Sequence, residues 1–533
     1  MATESVDAVV VGAGPNGLVA ANALADAGWE VLVLEANDVV GGAVRSAEVT
    51  APGFTTDLFS AFYPLAEASP VIRGLDLPAY GLTWVQAPTV LAHTLDDGYA
   101  AVLRRRVEDT AAALEADAPG DGEAWTAMVE QWMRVRDPLL DALFTPFPPI
   151  RPGARLLRRL GTTQALDLAR LAVTPVRRLA DERFRGIGPK LLLTGNALHT
   201  DIPPDGAGSG IFGWLLCMLG QDVGFPVPQG GSGELAGALA ARIRSHGGDI
   251  RTGARVTGIE VRGDRACGVR LADGTRVTAR RAVLADVSAP TLYRDLVGLG
   301  KLPGSLARQL DRFQWDDATI KVDWALREPI PWRAGDSPTG PAGAGTVHLG
   351  VDDTGFVDFA ADLSAKRTPR RPFLLLGQMT TADPSRSPAG TESAWAYTHV
   401  PVGSLGDRES VAAHVERMHE AVERCAPGFR DRILATHVQS PADLQDRDAN
   451  LVGGAINAGT SGLHQQLVFR PVLGLGRPET PVEGLYLASA AAHPGGGVHG
   501  ACGWNAARAA LGGGGPVRRR LLRTTWGRLL PDE

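Results

Sequence analysis

The hydrophobic pattern is clearest at the start of the chain. Val6–Val11 is apolar apart from Asp7, short enough for a strand buried on both faces. Leu18–Ala27 continues apolar at helical length, and Val31–Leu34 is a second apolar run that ends in Glu35. Between the first run and the helix stands Gly12-Ala-Gly14-Pro-Asn-Gly17. The pattern predicts a strand, a glycine turn, a helix and a second strand capped by an acid, which is the layout of a dinucleotide site.

From about 76 to 224 the spacing turns helical and arginine-rich. Leu139–Pro152 is rich in proline and reads as an irregular connection, and Ala154–Leu179 sets arginine pairs among Leu and Ala at helical spacing. Those helices are read either as ordinary surface helices with solvated arginines or as a basic amphipathic face near a membrane or a lipidic entrance. A glycine loop, Pro226–Gly233, opens a helix through His246. Short β segments follow at Asp249–Thr252, Ala254–Arg262, Ala266–Leu271 and Arg276–Val283, expected to form a small sheet next to the nucleotide fold. Residues 301–475 mix strands and helices, with a helix predicted at Asp407–Cys425. Gly484–Ala488 predicts a last strand, followed by His493-Pro-Gly-Gly-Gly-Val-His499-Gly500 and a helix over Ala501–Leu511. The expected class is α/β: a discontinuous Rossmann-like nucleotide domain (1–75, 225–300 and 476–512), a mixed α+β substrate or cap domain (76–224 and 301–475), and a basic amphipathic tail (513–533).

The glycines carry the chemistry. Gly12 permits the tight turn, Gly14 lets a pyrophosphate approach the backbone, and Gly17 lets the helix pack close. The helix N-terminus after Pro15 and Asn16 offers N–H groups and a partial positive charge to phosphates. Glu35, with Ala36 after it, is placed to accept hydrogen bonds from a ribose. An acid there argues against a 2′-phosphate and leaves FAD or NAD. Gly41-Gly42 followed by Arg45 favours FAD, because a paired glycine lets the chain double back under a long extended cofactor. Near the C-terminus, Ala490, Gly495–Gly497, Val498 and Gly500 lead into a helix whose start points its dipole at a flat ligand. Against a flavin this would stabilise charge on the N1/O2 edge.

Composition adds limits. The 533 residues exceed one ordinary core. Hydrophobic residues make up 44%, charged residues 21%, and the net charge of −6 gives no sign of nucleic acid. Four dispersed cysteines (Cys217, Cys267, Cys425, Cys502) fit a reduced cytoplasmic setting with no metal site. The start of the chain lacks the pattern of a signal peptide, and the longest apolar stretch, Ile211–Leu219, is about half of a membrane span.

GAGPNGLVAA at Gly12–Ala21, LEANDVVGGAVRS at Leu34–Ser46, the Pro228–Leu235 loop and GLYLASAAAHPGGGVHGACGWNAA at Gly484–Ala507 resemble the phytoene desaturase and carotenoid isomerase-like flavoproteins. Within them the chain resembles the branch of pyridine nucleotide-disulfide oxidoreductase domain-containing proteins. The resemblance implies FAD, the two-domain fold of the amine oxidase and desaturase superfamily, and an adenine contact through the backbone of Val256. It also departs from the family: Ala43-Val44 separate the double glycine from Arg45, where an arginine commonly follows at once or one residue later.

The implied activity is hydride transfer from a substrate C–H to flavin N5, desaturating a largely apolar polyene, isoprenoid or polyketide-like molecule, with oxygen or quinone as electron acceptor. The rival readings are a redox-neutral isomerase, an amine oxidase, and a non-catalytic flavin-binding partner protein. His493 and His499 flank the glycine turn and would suit proton transfer near pH 7, or serve as structural hydrogen-bonding groups. Trp504 and Asn505 are expected to line the flavin end of the substrate pocket, with core packing the alternative for Trp504. Cys502 offers a covalent flavin link that the family motif does not call for. Asp57 matches a family position whose role is to hold its loop. In the tail, Leu521, Leu522, Trp526, Leu529 and Leu530 oppose Arg520, Arg523 and Arg528 on a helical wheel. That reads as a membrane-surface anchor or as a helix packed on its own protein.

Overall fold

The computed structural model describes residues 4–512 together with Trp526, Leu529 and Leu530. The first strand, Glu4–Val11, is buried from Ala8 onward. It pairs in parallel with Val31–Leu34 on one side (Ala8 opposite Val31) and with Arg276–Ala285 on the other (Val9 opposite Val283). Asp249–Arg251 extends the sheet beyond Val31–Leu34. Leu485–Leu487 pairs in parallel with the end of Arg276–Ala285. The start of that strand pairs antiparallel with Arg265–Leu271, which in turn pairs with Val256–Arg262.

The segments expected as a separate small sheet are therefore part of the nucleotide sheet itself. The reason is the length of Arg276–Ala285: its ten residues pair with the first strand from Val277 (opposite Glu4) to Ala285 (opposite Val11), while Arg276–Thr278 also pair with Arg265–Leu271 on the other edge. On one face the helix Pro15–Asp26 packs between Gly233–Ser245 and Ala501–Leu511.

A second seven-stranded sheet runs in the order Ile433–Gln439, Ala318–Leu326, Glu392–Val400, Leu374–Gln378, Ala344–Leu349, Thr89–Thr94 and Ala100–Leu103. Only the pairing of Ala344–Leu349 with Thr89–Thr94 is parallel. A helical layer built from residues 107–222 joins this sheet in a core that includes Trp125, Trp132, Trp214, Leu91 and Leu375.

The irregular connection is shorter than expected. The helix Asp121–Leu143 continues past its internal Pro138, and the next helix, Ile150–Val173, begins before Pro152. Burial of Trp132, Val135 and Leu140 holds the first helix together across the proline, and Pro152 sits in a first turn, where a missing N–H is harmless. The backbone of Ile150–Val173 breaks from helical angles at Gly161 (φ 66). The helix predicted at Asp407–Cys425 spans Arg408–Cys425, with Asp407 as its N-cap.

Most of the amphipathic tail lies outside the described residues. Of the three described, Leu530 is buried and Trp526 packs on the core behind the nucleotide sheet, while Leu529 lies against Gly474. All three are turned toward the protein's own body. Among the described residues no helix is long and apolar enough to cross a membrane.

Candidate active site

The first glycine turn is closed by an aspartate 250 residues or more away in sequence. Asp286 ends the strand Arg276–Ala285, and its Oδ2 accepts the Gly17 N–H at 2.7 Å. A Cβ on Gly14 would lie 2.7 Å from that oxygen, and one on Gly17 would lie 2.2 Å from the Gly12 carbonyl. Gly12 itself has φ +96°. Burial, reinforced by Asp448 and Glu35, pushes the Asp286 carboxyl up to about 7.

Glu35 accepts the Ala13 N–H through Oε2 and the Asn37 N–H through Oε1, each at 2.8 Å, so its carboxylate is held facing the turn. Ala36 follows it, half-buried. The Ala254 N–H donates to the Glu35 carbonyl at 2.7 Å, which brings the start of the Val256–Arg262 strand beside it. Gly41 donates to the Ala13 carbonyl at 2.8 Å, and a Cβ on Gly42 would come 3.0 Å from Gly14 Cα. The double glycine thus passes directly against the first turn. Arg45 donates from Nε to the Gly42 carbonyl (2.8 Å) and from Nη2 to the Arg447 carbonyl (2.7 Å). In this arrangement it ties those two loops together.

The second glycine turn meets the first. Gly500 caps the helix Ala501–Leu511 at φ 72°, and a Cβ on it would lie 2.9 Å from Val19. Gly495 and Gly497 also have positive φ. The Ala490 carbonyl accepts from Arg470. Val498 and Trp504 pack against the core built around the first helix. His499 Nδ1 accepts the Ala501 N–H at 3.0 Å, and its ring lies 5.1 Å from Phe144. His493 lies 6.2 Å from Phe147.

Burial pushes both histidines down to about 4, so both are uncharged at neutral pH. This differs from the titration near pH 7 expected of the residue type, because the turn is closed over by the Phe144–Pro149 segment. Asn505 Nδ2 donates to the Phe144 carbonyl at 2.9 Å and secures that segment. The buried Cys502 thiol faces the carbonyls of Ala492 and Gly495 and is pushed up to about 12, which keeps it protonated and unreactive.

Three buried charged clusters escaped the sequence reading. Asp57 was expected to hold its loop. It accepts Ser46 Oγ (2.8 Å) and the Ser232 N–H (2.7 Å) on one oxygen and Arg386 Nη2 (2.8 Å) on the other. Arg386 also bonds Asp383 at 3.2 Å, and Asp383 accepts the Gly230 N–H at 2.7 Å. The glycine loop Pro226–Gly233 is thereby bolted to the second sheet's Met379–Arg386 segment. Lys321 and Asp323 form a buried pair on Ala318–Leu326, with the ammonium 5.6 Å over the Trp395 ring. Trp395 stacks on Tyr397 and lies 6.0 Å from Phe62. Arg470, beneath the second turn, is the third.

The residues present fit FAD. Glycines at 12, 14 and 17 keep clear a backbone cradle at a helix N-terminus that a side chain would fill, and Asn16 Oδ1 beside it is buried without a partner. Glu35 stands where a ribose would bind. At the second turn Asn457 Nδ2 is likewise buried and unpartnered, next to Gly496.

The comparisons with known proteins agree. The flavin containing amine oxidoreductase family matches residues 99–511, and an NAD(P)-binding Rossmann-like domain matches residues 10–75. The chain belongs to the flavin containing amine oxidoreductase family. It is a flavin-containing oxidoreductase of the amine oxidase and desaturase type, and its cofactor is FAD. It is 30% identical to mouse pyridine nucleotide-disulfide oxidoreductase domain-containing protein 2, over 94% of this chain and 92% of that protein. It is 27% identical to a lycopene-forming phytoene desaturase of Pseudescherichia vulneris, over 92% and 96%. An oxidoreductase from Methanosarcina mazei shares the fold with a TM-score of 0.64 at 17% identity, covering 95% of this chain and 99% of that one.

Proposed function

We propose that the protein desaturates a largely apolar substrate, a polyene, isoprenoid or polyketide-like chain, by transferring hydride to FAD. The observation that carries this reading is what packs on the second glycine turn. Leu65 lies against Gly497, Phe144 on His499 and Phe147 on His493, and both rings are uncharged at neutral pH. Such a surface suits a hydrocarbon and carries no charge of its own to pair with an ammonium. Similarity to phytoene desaturases supports the same class.

When bound, FAD supplies a two-electron acceptor that takes hydride at N5. The first turn and Glu35 would hold its phosphates and ribose, the backbone of Val256 would meet the adenine, and the helix starting at Ala501 would direct its dipole at the ring. The Phe144–Pro149 segment, secured by Asn505, keeps water from the reacting carbon. Of the two histidines only His493 would have a ring nitrogen free to take the proton released from the neighbouring carbon, since His499 Nδ1 already accepts the Ala501 N–H. Oxygen or quinone would serve as the final electron acceptor.

The substrate would enter from a membrane surface beside that segment. The helix Ile150–Val173 follows it directly and exposes Ile150 (75%), Leu157 (60%) and Leu166 (65%) among Arg151, Arg155, Arg158 and Arg159.

The test is anaerobic incubation of the holoprotein with detergent-dispersed phytoene. Bleaching of the flavin with a product two hydrogens lighter supports the reading. A product of unchanged mass assigns isomerisation instead, and peroxide released with amines but not with polyenes assigns amine oxidation.

A further inference from the structure

Arg470 is a buried cation with no direct ion-pair partner among the described residues. It is 1% exposed. Its Nε and Nη2 donate to the Ala490 carbonyl at 3.1 and 2.8 Å, and Nη1 donates to the Thr460 carbonyl at 3.2 Å. Nη2 also reaches the carbonyls of Asn457 (2.9 Å) and Ala458 (3.3 Å). Among the described residues no carboxylate lies within ion-pair distance of it. The two acids of that neighbourhood act on it only from beyond that distance: Asp316 is engaged by the backbone N–H groups of Ile456, Asn457 and Gly459, and Asp201 accepts the Ser461 N–H. The guanidinium is pressed against the second glycine turn: a Cβ on Gly495 would lie 3.2 Å from its Cζ and Nε.

Burying a charge whose direct contacts are all neutral carbonyls is expensive even with two carboxylates at longer range, and a neutral side chain would avoid that penalty. The charge gains a purpose if an anion forms on the other side of the turn. Hydride uptake by a flavin adds two electrons and one proton, and leaves one negative charge on the N1–C2=O side of the ring. We propose that Arg470 is a positioning residue that sets the electrostatics of the flavin end: its guanidinium fixes the Ala490–Gly497 turn and lends that turn a positive potential that favours the reduced, anionic cofactor. This rests on the reading that the second turn receives the flavin ring. It assigns to a side chain from a distant loop a part of the work that the helix dipole alone would otherwise do.

The experiment compares purified wild-type holoprotein with Arg470→Met and Arg470→Lys. FAD content, melting temperature and the midpoint potential of the bound flavin are measured for each, the last by anaerobic reductive titration against a reference dye. Arg470→Met is expected to shift the oxidised-to-reduced balance of bound flavin at least about tenfold toward the oxidised form. Arg470→Lys, which keeps the charge with fewer donors, is expected to melt earlier while holding its potential near wild type. An unchanged potential in flavin-loaded Arg470→Met would overturn the proposal. If Arg470→Met does not fold, Arg470→Lys decides: a potential near wild type supports the proposal, and one that falls by tenfold or more in the same balance overturns it. Wild-type protein that takes up no FAD would defeat the underlying reading, a separate outcome.

Discussion

Gly503 and Asn16 touch backbone to backbone: a Cβ on Gly503 would lie 1.8 Å from the Asn16 carbonyl oxygen and 2.7 Å from its carbonyl carbon. The last helix is thereby locked onto the first turn of the first helix, and the two glycine motifs become one site. Gly503→Ala forces the helices apart, and no rotamer change relieves a clash with backbone. We expect a loss of about 3 kcal/mol or more in stability together with loss of bound FAD. Thermal melts and flavin stoichiometry check this. Gly237→Ala is the control, because its added Cβ meets nothing within 4 Å on an exposed helical position. It should be neutral or stabilising by up to about 1 kcal/mol.

Asp286 makes the apoprotein sensitive to pH. Its carboxyl is raised from 3.8 to about 7. A raised carboxyl contributes stability that is full below its unfolded value and is lost as pH rises through the folded value. Apoprotein stability should therefore fall between pH 4 and pH 7 by an amount that Asp286→Asn abolishes. The ionised carboxylate also stands beside the cradle meant for phosphates, so FAD affinity should weaken across the upper part of that range in wild type and stay flatter in Asp286→Asn. Urea melts and fluorescence titrations with FAD at several pH values decide both. Equal slopes in the two proteins would refute the assignment.

Removing Asp57 leaves Arg386 buried with Asp383 as its remaining acidic partner, and it frees the Ser46 hydroxyl and the Ser232 N–H. Asp57→Ala should cost about 3–5 kcal/mol in chemical denaturation. Because the Pro226–Gly233 loop loses the bond from the Ser232 N–H to Asp57, proteolysis at that loop should quicken as well.

The exposed apolar residues of Ile150–Val173 predict surface binding to lipid. Leu157→Glu with Leu166→Glu should reduce co-sedimentation with anionic vesicles several-fold, since each substitution replaces inserted apolar area with a repelled charge. Flavin content should stay unchanged, as both residues point outward. Removal of Pro516–Glu533 tests the tail separately, and undiminished binding would exclude it as the anchor.

What the sequence disclosed and what it withheld follow a physical division. The strand–turn–helix at Gly12–Ala25 and the helix after Gly500 were legible because turn geometry, capping and period are local properties. Asp57 was noticed, but its partner Arg386 lies 329 residues on and has no local signature. Arg470, in Phe469-Arg470-Pro471, looks like any solvated arginine until Ala490 and Asn457 fold around it. Asp286 did leave a sign: Val283-Leu-Ala-Asp286 is an apolar strand ending in an acid, the same pattern that singled out Glu35. The misplaced small sheet had a similar cause. Periodicity identified Arg276–Val283 as a strand, but it could not say that the strand would lie between Glu4–Val11 and Arg265–Leu271.

That choice of neighbour has a consequence for the protein's birth on the ribosome. Gly17 and Ala501 are separated by 484 positions (501 − 17). At about 5–20 residues per second, synthesis leaves the first glycine turn waiting roughly 25–100 s for the helix that completes it. During that interval the chain would hold only the half of the proposed cofactor site assigned to the adenosine. FAD retention is therefore expected only once Ala501–Leu511 has been made, and a chain truncated before Leu485 should fail to retain it.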